Sequence, residues 1–126
     1  MNLTDEWIRQ TCLELPGTEA FMKEEWGSLL YRVGGKYFAM RGTDNESRQI
    51  LTLKCDPLLA EEYRERYEQI VPGYYSNKSH WNSLLLEQGG LEADFVRGMI
   101  RHSYERVRSG LPKKVRDELP ALTEND

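Results

Sequence analysis

The sequence predicts an α+β fold in which helices cover one face of an antiparallel sheet, a two-layer arrangement. Apolar residues recur at helical spacing near the start of the chain and again in residues 91–109. Between these segments, residues 28–54 contain short apolar runs that are separated by paired glycines and by a polar turn. The chain contains no internal repeat, low-complexity tract or linker. We therefore expect one domain over residues 1–119, followed by an acidic, disordered tail over residues 120–126.

The first helix is predicted over residues 3–15. Asp5 and Glu6 lie in its first turn, where the helix dipole favours acidic side chains, and Pro16-Gly17 ends it. Its apolar residues recur at helical spacing: Leu3, Trp7, Ile8, Cys12 and Leu15.

A β-hairpin and one further strand are predicted next. Gly34-Gly35 separates the strand that ends at Val33 from the strand that begins at Lys36, and paired glycines supply the positive φ angles of a two-residue turn. A polar turn over residues 42–47 then leads into a strand over residues 49–54.

Asp56 and Pro57 predict the start of a second helix, as the N-cap and the first helical residue. This helix is expected to reach Tyr67, with four side chains turned inward: Leu58, Leu59, Tyr63 and Tyr67. After a turn at Pro72-Gly73, residues 80–86 predict a strand that Gly89-Gly90 ends. The longest helix is predicted over residues 91–109, and a short basic helix over residues 112–119.

Composition and charge limit the classes of function. The 126 residues have a net charge of -4 and a mean hydropathy of -0.70, which is typical of a globular protein with a charged surface. No apolar run has the length of a membrane helix, and the N-terminus lacks a signal-peptide pattern, so we expect a cytoplasmic protein. Cys12 and Cys55 are isolated and predict buried thiols rather than a disulfide.

Positive charge is concentrated near the C-terminus. Residues 97–116 hold seven basic side chains and the single acidic residue Glu105, a net +6. On a helix Arg97, Arg101 and Arg108 lie within about 40° of one another, whereas Arg106 points elsewhere. With Lys113 and Lys114 they predict a ridge that contacts phosphate, although a solvated helix face explains the same pattern.

Residues 70–82 form the other candidate site, because they combine a turn with aromatic and polar side chains. Tyr74, Tyr75 and His80 are suited to stacking or hydrogen bonding. Alternation along a strand places His80 and Trp81 on opposite faces, and we expect Trp81 to be the core residue of the pair.

Three lysines lie at predicted strand ends or turns, and their convergence on one rim would form an anion site: Lys36, Lys54 and Lys78. Taken singly, each lysine is better explained as a solvated or paired surface residue.

No catalytic or metal-ligating pattern stands out. His80 and His102 lack a neighbouring nucleophile motif, and no two metal ligands have a useful spacing. Gly34-Gly35-Lys36 differs from a phosphate-binding loop because a strand follows it instead of a helix. The expectation is a binding protein that is not an enzyme and that needs neither a metal nor a cofactor.

Several short strings, in this order along the chain, resemble the MmcQ/YjbR family of small bacterial proteins. The strings are Cys12-Leu-Glu-Leu-Pro-Gly-Thr-Glu19, Arg32-Val-Gly-Gly-Lys-Tyr-Phe-Ala39, Leu53-Lys-Cys-Asp-Pro57, Pro72-Gly-Tyr74, Asn77-Lys78, His80-Trp-Asn82, His102-Ser-Tyr104 and Leu111-Pro-Lys-Lys114. The resemblance implies an α-β(3)-α-β(2)-α layout similar to type III secretion chaperones, and family members are often labelled DNA-binding.

The leading hypothesis is therefore binding of double-stranded DNA through the basic C-terminal helix and the hairpin turns. The alternative is a protein-interaction module, in which a partner peptide or a second copy docks on the sheet face or edge.

Overall fold

The computed structural model describes residues 3–73 and 77–121 of the chain, without the side chain of Trp26. The helices are α1 (Asp5–Leu13), α2 (Pro57–Arg66), α3 (Ala93–Ser109) and α4 (Lys113–Asp117). The strands are β1 (Thr18–Lys23), β2 (Ser28–Val33), β3 (Lys36–Thr43), β4 (Gln49–Lys54), β5 (Ile70–Pro72) and β6 (Trp81–Leu85). Two short 3-10 turns lie at Glu24–Trp26 and Leu86–Gln88. Residues 74–76 and 122–126 lie outside the described residues, and these include Tyr74, Tyr75 and most of the predicted acidic tail.

The six strands form one antiparallel sheet in the order β1-β2-β3-β4-β6-β5. This confirms the predicted α+β class and its antiparallel sheet. The β2–β3 hairpin turns at Gly34 and Gly35, whose φ angles are 57° and 83°, as a two-residue turn with two positive φ angles requires. Four strands precede α2, whereas the resemblance implied three.

The residue patterns did not predict two strands, the three-residue β5 and the longer β1. Strand β1 lies at an edge of the sheet, and its side chains do not alternate cleanly between buried and exposed. Because Glu19 and Lys23 lie within a six-residue strand, its sequence lacks the period-two hydrophobic pattern that identifies a half-buried strand.

The core lies between the sheet and the helices. Phe38 packs edge-on against Tyr104 of α3, with ring centroids 5.4 Å apart, and both side chains are fully buried. Helix α3 also packs against β2 and β4, while α1 covers β1 and α2 lies against β5 and β6. The remaining large buried side chains of this core include Ile8, Tyr31, Leu51, Leu53, Leu84 and Ile100.

The start of α2 is as predicted, but one inward residue is not. The Asp56 side chain accepts hydrogen bonds from the backbone N–H groups of Leu58 and Leu59, which completes the N-cap. Leu58, predicted to face inward, is 80% exposed. Leu59 is half-buried, and Ala60 is the buried residue of the first turn. The rings of Tyr63 and Tyr67 pack on Phe95 of α3, as their predicted inward orientation requires.

A bulge in the β2–β3 ladder sets which β3 side chains face the core. The register shifts at Tyr31 and Arg32, so Tyr31 lies opposite Ala39 while Arg32 lies opposite Tyr37. Phe38 is the extra residue, and both Phe38 and Ala39 are buried in the core. Tyr37 consequently lies on the face opposite the helices.

Candidate functional site

A cleft of about 530 Å³ lies at the end of the sheet where β3 begins, β4 ends and β6 begins. We call it the β3–β4–β6 cleft. Its walls come from three strands, from the end of α3 and from the residues after α3. The lining residues are Lys36, Tyr37, Met40, Lys54, Trp81, Arg106, Val107, Gly110 and Leu111.

The cleft gathers three cations from separate parts of the chain. Lys36 begins β3, Lys54 ends β4, and Arg106 comes from the last turn of α3. Arg106 Nη1 lies 3.7 Å from Asp56 Oδ1, and Arg106 Nε is buried without a hydrogen-bond partner among the described residues. Since one carboxylate stands beside three cations, the cleft is electropositive although the chain is acidic.

Ser103 connects the helix and the two strands that carry these cations. Its hydroxyl donates a hydrogen bond to the carbonyl oxygen of Phe38 and accepts one of 2.8 Å from the backbone N–H of Lys54. Ser103 is fully buried, and a buried hydroxyl with both partners is costly to disturb. These two bonds hold the end of β4 against α3, so the backbone that carries Lys54 is fixed.

Two aromatic side chains flank Lys54 across the sheet. Trp81 of β6 lies directly opposite Lys54, and Tyr37 occupies the same face on β3, on the other side of Lys54. Neighbouring strands are about 4.8 Å apart, so the two aromatic positions are separated by about 10 Å. Aromatic faces beside cations can stack on nucleobases while the cations contact phosphate.

Trp81 is not the core residue that we predicted. It is half-buried and lines the cleft, because its register with Lys54 places it on the face away from the helices. Gly73 makes room for this strand: a Cβ atom at Gly73 would lie 2.6 Å from Trp81 Cβ, and the Gly73 N–H donates to the Trp81 carbonyl. Glycine is therefore required at this close approach of two backbones.

The two histidines lie outside the lining of the cleft. His80 is half-buried, and its Nδ1 is buried without a partner among the described residues. His102 Nε2 accepts a hydrogen bond from the Asp56 N–H. Burial, and then the nearby Arg106, lower the pKa of His102, so it is neutral at pH 7 and retains this acceptor. His102 thus helps to hold Asp56, which in turn pairs with Arg106.

Lys78 does not join the other two lysines. Its Nζ donates to the carbonyl oxygen of Gly73 at 3.0 Å, while Arg64 donates to the Lys78 carbonyl at 2.7 Å. The predicted convergence of lysines therefore occurs for Lys36 and Lys54, with Arg106 in the third place.

The C-terminal arginines are engaged with their own protein. Arg97 lies 3.5 Å from Glu14 and stacks over the ring of Trp7, and Arg101 lies 3.3 Å from Glu105. Arg108 donates to the Tyr104 hydroxyl and to the carbonyl oxygen of Pro120.

In α4, Lys113 pairs with Asp117 at 2.8 Å, whereas Lys114 is exposed. A phosphate ligand would have to compete with these partners. The binding role of this ridge stays a prediction.

The sequence did not identify Tyr37 or Arg106 as site residues, although both line the cleft. On the helix, Arg106 points away from Arg97, Arg101 and Arg108. Arg106 follows Met99 by seven residues, which at about 100° per residue places it within about 20° of that core side chain. A basic residue at the edge of the apolar face of a helix is the sequence pattern that could have identified Arg106.

The thiols are not activated, and the described residues form no group of metal ligands. Burial raises the pKa of Cys12 to about 12 and that of Cys55 to about 11. Within residues 3–73 and 77–121, no three His, Cys, Asp or Glu side chains are close enough to hold a metal ion. No helix in the described part of the chain is both long enough and apolar enough to cross a membrane.

The chain is similar to bacterial proteins along nearly its whole length. It is 29% identical over 120 residues to YjbR of Escherichia coli K12, which covers 95% of this chain and 100% of that protein. It is 31% identical over 109 residues to YbdF of Escherichia coli O157:H7, covering 86% of this chain and 88% of YbdF.

A solved structure, protein DR2400 of Deinococcus radiodurans with its DUF419 domain, superposes with a TM-score of 0.83 at 31% identity. That match covers 96% of this chain and 92% of DR2400. A Pseudomonas syringae structure has a TM-score of 0.71 at 22% identity and covers 85% of this chain and 99% of its own, which supports the fold alone. The YjbR family model matches residues 13–106. The chain belongs to the YjbR family.

Proposed function

We propose that this protein binds DNA and that the β3–β4–β6 cleft receives the phosphate and an adjoining base. One observation carries the proposal: Lys36, Lys54 and Arg106 meet in a single cleft whose other walls include Tyr37 and Trp81. Cations contribute affinity for phosphate irrespective of base sequence, and aromatic faces contribute stacking that is equally tolerant of sequence. The proposed binding is therefore salt-dependent and weakly sequence-selective.

The shape of the cleft favours an unpaired nucleotide over an intact duplex. The cleft is open to solvent, and its volume of about 530 Å³ is comparable to that of small-ligand sites. Stacking on Tyr37 or Trp81 needs a base whose face is free, which a duplex offers only at an end or after unstacking. We accordingly refine the expectation of double-stranded DNA to single-stranded DNA or a frayed end.

A binding role rather than a catalytic one agrees with the side chains at hand. The thiols of Cys12 and Cys55 are held protonated by burial, and His102 is committed to the Asp56 N–H. The proposed binding uses only side chains of the protein, needs neither a metal nor a cofactor, and belongs in the cytoplasm.

Fluorescence anisotropy with a labelled single-stranded oligonucleotide at several salt concentrations tests the proposal. Replacing Lys36, Lys54 and Arg106 together with glutamine should lower affinity and make its salt dependence shallower, by up to about 0.7 in log–log slope for each lost phosphate contact. Trp81→Ala should weaken binding by about 1–3 kcal/mol per stacked base and leave the salt slope unchanged.

The matched control replaces Arg97, Arg101 and Arg108 with glutamine, which removes the same charge from the ridge. Loss of binding in the ridge variant, with normal binding in the cleft variant, would transfer the site to the C-terminal helix. No binding of single-stranded or duplex oligonucleotide by the folded wild-type protein at low salt would end the proposal.

A second candidate, a protein-interaction module, is favoured by the free edge of strand β1, which offers a partner strand a place to pair.

A further inference from the structure

The two edges of the sheet differ in how far they are protected. Edge strand β5 has three residues and ends in Pro72, which lacks a backbone N–H donor. Edge strand β1 has six residues without proline, and within the described residues no strand pairs with its outer side. An exposed edge of this length is a template for pairing with another strand.

Two of the four large apolar side chains that are exposed among the described residues lie on this edge. Phe21 is 40% exposed and Met22 is 53% exposed. They belong to opposite faces of the sheet, because Phe21 lies opposite Leu30 while Met22 lies opposite Leu29. With an apolar side chain on each face, a strand paired at this edge would make apolar contacts on both faces of the sheet.

We propose that β1 pairs antiparallel with β1 of a second copy of this chain, which joins the two sheets into one across a two-fold axis. The axis passes through Phe21, so that Phe21 faces Phe21 of the second copy. In this register Glu19 lies opposite Lys23 of the second copy, and Lys23 lies opposite Glu19 of the second copy. This proposal is independent of the DNA-binding proposal.

Charge selects this register from its neighbours. A two-fold axis normal to the sheet keeps each face on its own side, which restricts the register to shifts of two residues. Centring the pair on Ala20 places Glu19 opposite Phe21, and centring it on Met22 places Lys23 opposite Phe21. Of these three registers, only the one centred on Phe21 pairs both carboxylates with ammonium groups.

The side-chain sizes agree with the same register. On the helix-covered face, Ala20 lies opposite Met22 of the second copy, a small residue beside a large one. On the other face the two Phe21 rings meet, about 5 Å apart at Cβ, where aromatic cross-strand pairs are favourable. Arg32 already lies over the Phe21 ring at 5.4 Å and 3.7 Å from Glu19. The paired edge would therefore extend an existing cluster.

Charge reversal tests the register directly. In Lys23→Glu, each copy would present Glu19 to a glutamate, and in Glu19→Lys each copy would present Lys23 to a lysine. Both variants should dimerise about tenfold more weakly than wild type in sedimentation velocity from micromolar to millimolar concentration, because like charges lie directly opposite. A mixture of the two variants should recover the dimer, since each heterodimer pairs opposite charges at both positions.

Circular dichroism and thermal unfolding verify that each variant is folded, and Lys114→Glu makes the same charge change outside β1. A dimer that survives both reversals, or one that the mixture does not restore, would overturn the proposed register. A wild-type protein that remains monomeric at millimolar concentration would overturn the dimer itself. Because the DNA assay can be run on dilute protein, failure of one proposal leaves the other standing.

Discussion

The two basic regions of this protein, the C-terminal ridge and the β3–β4–β6 cleft, carry similar charge in different settings. The ridge arginines Arg97, Arg101 and Arg108 are close in sequence and share one helix, yet each contacts a neighbouring group of the protein. The cleft cations are up to 70 residues apart in the chain and meet only because the start of β3 and the ends of β4 and α3 lie at one place. Density of charge along the sequence is thus a poor guide to where a ligand finds accessible charge.

The difference has a geometric reason. Helix neighbours three or four residues apart lie on one surface, where an acidic or hydroxyl partner is readily within reach, as Glu105 is for Arg101. The cleft cations project from separate elements around a concave space, and among the described residues Asp56 is the carboxylate that forms an ion pair with one of them. Exposed ion pairs contribute little stability, so the pairs of Arg97 and Arg101 should matter less for the fold than the hydrogen bonds of Arg108.

The largest effect should come from removing the bulge residue that orients the cleft. Phe38→Ala should lower the free energy of unfolding by about 3–5 kcal/mol, because a fully buried ring is lost from its contact with Tyr104. It should also disturb Tyr37, the cleft and the contact of Arg108 with Tyr104, while the ion pairs of Arg97 and Arg101 remain. Urea unfolding monitored by circular dichroism measures the change.

Phe21→Ala is the matched control, since it removes the same atoms from a side chain that is 40% exposed. Equal destabilisation by the two changes would mean that Phe38 does not anchor the core as the structure indicates.

A smaller effect should distinguish a ridge arginine from a cleft lysine. Arg108→Gln removes a hydrogen bond to the buried Tyr104 hydroxyl and one to Pro120, and should cost about 0.5–1.5 kcal/mol of unfolding free energy. Lys54→Gln should change stability by less than about 0.5 kcal/mol, since it leaves the backbone bond to Ser103 intact. Thermal and urea unfolding of both variants measure the two changes. A larger loss of stability in Lys54→Gln than in Arg108→Gln would contradict a structural role for Arg108 and a ligand-binding role for Lys54.

The smallest effect should appear as a pH dependence of stability. The folded state lowers the pKa of His102, mainly by burial and next by Arg106, against the opposing influence of Glu105 and Asp56. Below the ordinary value near 6.5 the unfolded chain binds this proton more readily than the folded protein does. Stability should therefore fall as pH drops from 6.5 toward the lowered folded value, and should be fully retained above 6.5.

His102→Gln should reduce this dependence, and the difference between the two unfolding curves isolates the histidine from the carboxylates. A difference that does not change with pH would show that the His102 pKa is the same in both states.

Much of the fold followed from local patterns. Asp56-Pro57 predicted the start of α2 to the residue, and Gly34-Gly35 predicted the hairpin with its positive φ angles. These signals depend on neighbours within a few residues, so they can be interpreted without knowledge of the tertiary structure. Strand β1 was missed because it is stabilised by pairing with β2, and its own side chains carry little period-two pattern.

The site was predictable only in part, for a related reason. Lys36 and Lys54 were candidates as strand-end residues, but nothing local placed them beside Arg106 instead of Lys78. The assignment of Trp81 to the core was wrong. The face of the sheet on which Trp81 lies depends on its register with Lys54, a residue 27 positions earlier.

By itself, the sequence determined the class of the fold, most helix boundaries, the hairpin turn and the family. The fold class, helix boundaries and turn follow from spacing, capping and glycine geometry, which act over short range, whereas the family follows from the resemblance of short strings. The tertiary structure decided that β2 and β3 pair with a bulge, that Trp81 and Tyr37 share one face, and that three distant cations meet in one cleft. Such features depend on which strand residues lie opposite one another and on where separate elements end, and both arise from packing across the whole chain.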